Sequence, residues 1–76
     1  MRLSPKQSQE WIEKRLEELN LHTFDALSRI TGIDRGTLSR YFRQERRPSI
    51  DVIQPLCKAL KVSPEKLLHV LGALDK

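Results

Sequence analysis

Residues 23–45, with the sequence TFDALSRITGIDRGTLSRYFRQE, decide the fold of this chain. Thr23 can act as the N-cap of one helix, and Asp34 can act as the N-cap of the next. Between them, Gly32 can adopt the left-handed conformation that ends a helix. Two short helices joined by so short a glycine-containing turn predict a helix-turn-helix.

The second of these helices, predicted over about 35–45, has two opposite faces. Leu38, Tyr41 and Phe42 recur at i, i+3 and i+4 and are expected to point into the core. The opposite face carries small and cationic residues, namely Gly36, Ser39, Arg40, Arg43 and Arg47. One helix therefore combines a packing face with a face that offers charge and hydrogen bonds to a ligand.

Three further helices are predicted around this pair. Residues 4–7 (SPKQ) form a capping-box pattern, which begins a first helix over about 5–19. Ser49 is expected to cap a fourth helix, in which Pro55 predicts a bend or a late start. The expected fold class is therefore all-α, with five short helices.

A fifth helix is predicted over about 64–74, where Ser63 and a following proline repeat the start signal. No strand pattern or internal repeat is present. Residues 1–76 are thus expected to form a single helix-turn-helix domain.

The positive charge is concentrated in one segment. Residues 29–47 hold six arginines and two acids, a net charge of +4, whereas the remainder holds eight basic and eight acidic residues. Arginine suits phosphates and guanine edges, so the segment favours a nucleic-acid partner. A solvated arginine-rich surface is the alternative, and Arg29 is expected to pair with Asp25 at i, i+4.

The composition argues against several other classes of protein. The single cysteine, Cys57, excludes an internal disulfide and a cysteine-rich zinc site. The N-terminus lacks the apolar run of a signal peptide, and no apolar stretch is long enough to span a bilayer, so a cytoplasmic protein is expected. No nucleophile–base pair, carboxylate pair or glycine-rich phosphate loop is present. We therefore expect no enzyme and no metal, cofactor or small-molecule site.

Four segments, 23–28, 32–40, 46–49 and 56–63, carry a resemblance to a known family. Over about residues 12–71 the chain resembles the Cro/phage-repressor type of helix-turn-helix DNA-binding domain, the lambda repressor-like or Xre-type fold. The resemblance implies a sequence-specific transcriptional regulator of double-stranded DNA, associated with the nucleoid of a prokaryote or phage host.

The chain also departs from the common pattern of that family in three places. Phe24 replaces a common glutamine, and Ser28 replaces a common alanine. Phe42-Arg43-Gln44 replaces a common Glu-Asn-Gly run, so the helix over 35–45 is expected to lack the usual glycine stop.

The resemblance further implies how DNA is contacted, with the helix over 35–45 in the major groove. By position, Arg35, Gly36 and Arg40 are expected to reach base edges, where arginine prefers guanine. Contacts to phosphates are expected from Thr23, Thr37, Ser39, Arg43, Arg46 and Arg47.

The predicted fifth helix carries more apolar residues than a single inward stripe requires. Leu67 and Leu71 are expected to seal the monomer, while Leu68, Leu74 or Val70 face outward. A homodimer interface is therefore expected at Leu68, Val70, Leu71 and Leu74. A dimer would place two recognition helices about 34 Å apart on a palindromic site. A fully buried terminal helix or a disordered tail is the alternative.

Two functions remain open at this point. The first is a DNA-binding regulator that acts by occupancy: a phage-type repressor, a restriction–modification controller or an antitoxin-like autoregulator. The second is a protein-interaction or antitoxin-like module that docks a partner through its apolar C-terminal helix. An arginine face opposite a core face favours the first.

Overall fold

The computed structural model describes residues 3–73, and this part of the chain forms five α-helices and no strand. The helices are α1 (Pro5–Glu18), α2 (Phe24–Thr31), α3 (Arg35–Phe42), α4 (Ile50–Leu60) and α5 (Pro64–Val70). The predicted all-α fold is confirmed. None of these helices combines the length and the apolarity that crossing a membrane requires.

The predicted helix starts agree with the structure, with one difference in detail. The hydroxyl of Ser4 accepts from the amide of Gln7 at 3.2 Å, and the Gln7 side chain accepts from the amide of Ser4 at 2.9 Å, which completes a capping box. Ser63 accepts from the amide of Lys66 at 3.1 Å. Ser49 occupies the N-cap position of α4, but its side chain makes no capping hydrogen bond.

Helix α4 does not start late. It begins at Ile50 and continues through Pro55, so the proline is accommodated inside the helix. Proline cannot donate a backbone hydrogen bond, and the carbonyl one turn earlier belongs to Asp51, in the exposed first turn. An exposed carbonyl can be hydrated, which makes the missing bond tolerable there.

Helix α3 ends at Phe42, earlier than the predicted residue 45, because a left-handed residue other than glycine follows it. Gln44 has φ 59°. The amides of Gln44 and Glu45 donate to the carbonyls of Tyr41 at 3.0 Å and Arg40 at 2.9 Å, the pattern of a Schellman motif. These bonds satisfy carbonyls at the helix end without the usual glycine.

The five helices enclose one hydrophobic core. Leu38, Tyr41 and Phe42 are all buried, which confirms the predicted inward face of α3. The other buried apolar residues are Ile12, Leu16, Leu27, Leu56, Leu60, Leu67, Val70 and Leu71. Burial of this set on one side of each helix leaves the opposite side of α3 open.

Most of the apolar residues of helix α5 pack into this core. Val70 is 0% exposed and Leu71 is 4% exposed. Val70 therefore does not face outward as expected, because the seven-residue α5 packs against α1 and α4, and the dimer interface stays a prediction. Leu68 is half-buried, and Leu74 lies outside the described residues.

A polar network around the buried Ser8 joins α1, the end of α3 and α5. The side-chain Nε2 of Gln44 donates to the carbonyl of Leu3 at 2.7 Å and to Oγ of Ser8 at 2.8 Å. Ser8 is fully buried and donates its hydroxyl to the carbonyl of Val70. The network holds the C-terminal end of α3 against the two terminal helices.

Candidate nucleic-acid interface

The turn between α2 and α3 is held by side-chain hydrogen bonds as well as by its glycine. Gly32 has φ 76° and ends α2. The hydroxyl of Ser28 donates to the carbonyl of Ile33 at 2.6 Å, and the hydroxyl of Thr31 accepts from the amide of Ile33 at 3.2 Å. The serine thus adds a contact across the turn that the alanine common in this family lacks.

The N-terminal end of α3 is capped by Asp34. Its Oδ2 accepts from the amides of Gly36 at 3.0 Å and Thr37 at 3.3 Å. A carboxylate in this position satisfies free amides and complements the helix dipole. It also occupies amides that could otherwise bind a phosphate, so a DNA contact by this helix depends on its side chains.

Gly36 lies between the capping carboxylate and an arginine. A Cβ at Gly36 would lie 3.1 Å from Oδ2 of Asp34 and 3.8 Å from Nη1 of Arg40. The guanidinium of Arg40 therefore lies back over the first turn of α3. The structure brings Gly36 and Arg40, both expected to contact bases, onto one patch of the helix.

Two arginines near this face are held in ion pairs across the exposed surface. Nη1 of Arg35 lies 3.3 Å from Oδ1 of Asp25, and Nη2 of Arg43 lies 3.4 Å from Oε1 of Glu45. The predicted pairing of Arg29 with Asp25 is wrong, because the helix-turn-helix brings the start of α3 to the carboxylate instead.

The remaining cations of this face are free of acidic partners in the described chain. Arg40, Arg46 and Arg47 are exposed, and none of them lies within ion-pair distance of a carboxylate of residues 3–73. Arg46 and Arg47 follow α3 in the irregular segment that leads to α4. Their charge is available to a phosphate backbone.

Thr23 lies exposed at the N-cap of α2, the first helix of the helix-turn-helix. Its hydroxyl oxygen accepts from the amide of Ala26 at 3.2 Å, which confirms the predicted cap. A hydroxyl that accepts in this way still has its proton to donate. Thr23 can therefore cap α2 and donate to a phosphate at the same time.

Ser39 lies at the junction of α1, α2 and α3 and is half-buried. It lines a small cavity of about 180 Å³ together with Phe24, Phe42 and Arg43. The rings of Phe24 and Phe42 stack with centroids 6.0 Å apart. Phe24, which departs from the family pattern, thus packs against Phe42 on the core side of α3.

Sequence reasoning missed Asp25 as a member of this site. The local i, i+4 spacing pointed to Arg29, and only the angle between α2 and α3 makes Arg35 the partner. Among residues 3–73, no three histidine, cysteine, aspartate or glutamate side chains are placed to hold a metal ion. Burial raises the pKa of the half-buried Cys57 thiol, which disfavours its reactive thiolate.

These features define a helix-turn-helix DNA-binding domain: a tight turn, a capped second helix and exposed arginines opposite its core face. A family model of the Cro/C1-type HTH DNA-binding domain matches residues 11–70, and the chain belongs to this family. The resemblance predicted from the sequence is confirmed. No curated protein and no solved structure matches the chain significantly.

Proposed function

We propose that this chain is a sequence-specific regulator of transcription that acts by occupying its operator, without catalysis, in the cytoplasm of a prokaryote or a phage-infected cell. One observation carries the proposal. The three arginines of α3 and its cap, Arg35, Arg40 and Arg43, are exposed, while the opposite face of the same helix is buried. A helix that presents such a face after a tight turn fits the major groove.

Base recognition is assigned to Arg35, Gly36 and Arg40. The two guanidinium groups can each donate two hydrogen bonds to O6 and N7 of a guanine. Gly36 between them brings little bulk, so the first turn of α3 can approach the base edges closely. Sites that contain G·C pairs at the corresponding positions are therefore expected.

Backbone contacts are assigned to the hydroxyls and arginines around that centre. Support comes from the exposure of Thr23 and of the arginines in the set, and from the hydroxyl proton that Thr23 keeps for donation. The set is Thr23, Thr37, Ser39, Arg43, Arg46 and Arg47. Thr37 and Ser39 are half-buried and have less access to a ligand than the four exposed residues.

A homodimer on a palindromic site is the proposed assembly. The described part of a protomer measures 31 × 24 × 21 Å. Two copies side by side can therefore present recognition helices about 34 Å apart, one turn of DNA. Leu68 is the described residue of the predicted interface that keeps exposed surface, since Val70 and Leu71 are buried.

The alternative, docking of a partner through the apolar C-terminal helix, receives less support. Leu67, Val70 and Leu71 lie in the core. The exposed large apolar side chains of the described chain are Ile30 on α2 and Ile50 on α4. Between Pro64 and Val70, the half-buried Leu68 is the leucine or valine of α5 that keeps exposed surface, which is little for a partner helix to cover.

Selection of bound sequences from a library of random DNA duplexes tests the proposed function. We expect enrichment of one motif with G·C pairs, repeated as inverted half-sites about one turn apart. Enrichment of a single half-site would contradict the dimer but would still support sequence-specific DNA binding. If the protein retains duplexes but no sequence motif is enriched among them, sequence-specific recognition is contradicted.

A further inference from the structure

The ion pair between Asp25 and Arg35 crosses the helix-turn-helix. Asp25 lies in the first turn of α2, and Arg35 is the first residue of α3. Their side chains are 56% and 66% exposed, with Oδ1 and Nη1 3.3 Å apart. An ion pair this exposed contributes little to the stability of a fold. Its position beside the DNA-binding face points to an effect on binding instead.

We propose that Asp25 is a positioning residue that sets sequence specificity: it holds the guanidinium of Arg35 ready for one base pair and weakens binding to DNA in general. The inference rests on the proposed function, because it assumes that Arg35 reads a base. It adds a residue on α2 to the residues that determine base recognition, which otherwise lie on α3.

The first effect comes from ordering a long side chain before DNA arrives. A free arginine must lose rotamer freedom when it forms a bidentate contact, and this loss weakens binding. The carboxylate of Asp25 engages Nη1 of Arg35. A guanidinium has five N–H donors, so the pair leaves others to reach O6 and N7 of a guanine. Only the sequence that matches Arg35 gains from this ordering.

The second effect comes from the negative charge itself. Asp25 follows the proposed phosphate-binding Thr23 by two positions in the same exposed turn. A carboxylate near the phosphates raises the free energy of every complex, whatever its sequence. The two effects have opposite consequences when the charge is removed, which separates them from a structural role.

Asp25→Asn is the informative variant, since the amide keeps the shape and loses the charge. We expect tighter binding to random duplex, together with a loss of about two- to tenfold in discrimination at the base pair read by Arg35. Asp25→Glu should restore discrimination. Asp51→Asn is the matched control: it removes an exposed first-turn carboxylate of α4 that has no arginine within ion-pair distance in the described chain.

Dissociation constants for the selected duplex, for one changed at that base pair and for a random duplex measure these effects. In an Arg35→Ala background, Asp25→Asn should change discrimination no further, because Asp25 acts through Arg35. Unchanged discrimination in Asp25→Asn alone, or an equal loss in Asp51→Asn, would overturn the inference and leave the proposed function standing. If the unmodified chain shows no sequence preference, the proposed function and this inference fail together.

Discussion

Gly72 packs directly against the side-chain amide of Gln44. A Cβ at position 72 would lie 2.6 Å from both Cδ and Oε1 of Gln44, closer than atoms can approach. Gly72 also has φ 71°, in the left-handed region. The same amide donates to buried Ser8, so the turn after α5 and the end of α3 constrain each other.

Gly72→Ala should therefore destabilise the fold more than Gly32→Ala. Both glycines have positive φ, which costs an alanine about 1–2 kcal/mol. Gly32 has no atom within 4 Å of an added Cβ, whereas Gly72 would also displace Gln44 from its hydrogen bonds, at about 1 kcal/mol more. Urea unfolding of both variants measures the difference. Equal losses would show that the contact with Gln44 does not contribute to stability.

Two serines at helix starts provide a matched pair of capping variants. Ser63→Ala should lower the free energy of unfolding by about 1 kcal/mol, because Ser63 accepts from the amide of Lys66. Ser49→Ala should change it less, since Ser49 makes no capping hydrogen bond. Thermal unfolding of both variants compares them directly. A larger loss at Ser49 would contradict the capping pattern described above.

Arg40 and Arg43 should differ in what they recognise. Arg40→Ala should remove preference at one base pair per half-site, worth about 1–3 kcal/mol. Arg43→Ala should weaken all duplexes alike and make the slope of log K against log salt shallower by about 0.9. Binding isotherms over a range of salt give both quantities. Uniform losses in both variants would mean that Arg40 contacts the backbone.

The thiol of Cys57 should make stability depend on pH in the alkaline range. Burial raises its pKa in the folded chain above the ordinary value of 9.0. The folded state therefore favours the neutral thiol, and the resulting stability is complete below the ordinary pKa and is lost as the pH rises through the raised value. The difference in unfolding free energy between the unmodified chain and Cys57→Ala should be constant below the ordinary thiol pKa and change as the pH rises above that value. A constant difference throughout would refute the shift.

Most of the fold could be predicted from the sequence because its signals are local. The cap at Asp34 and the glycine at position 32 each act over a few residues, through bonds to the neighbouring backbone. The inward face of α3 follows from helical periodicity alone. The end of α3 could not be predicted in this way, because Gln44 takes a conformation usually left to glycine while its side chain is held by the distant Ser8.

The exposure of the arginines in the candidate site could be predicted from the sequence, but their ion pairs could not. Exposure of Arg40 and Arg43 follows from their phase on α3, opposite the core residues. Periodicity along one helix says nothing of contacts between helices, so it predicts Arg29 as the partner of Asp25, whereas the structure has Arg35. The angle at the turn decides that Arg35 lies within reach.

The sequence by itself determined where the helices begin, where the central turn lies and which face of α3 carries charge, since each depends on residues within one or two helical turns. Only the tertiary structure decided what the apolar residues of α5 contact. Val70 is buried, so it packs into the core of its own chain. The packing of the helices also places Nε of Arg15 where it donates a hydrogen bond to the carbonyl of Leu60 at 3.0 Å. Contacts between segments so far apart in the chain depend on how all five helices pack, and no local pattern specifies that.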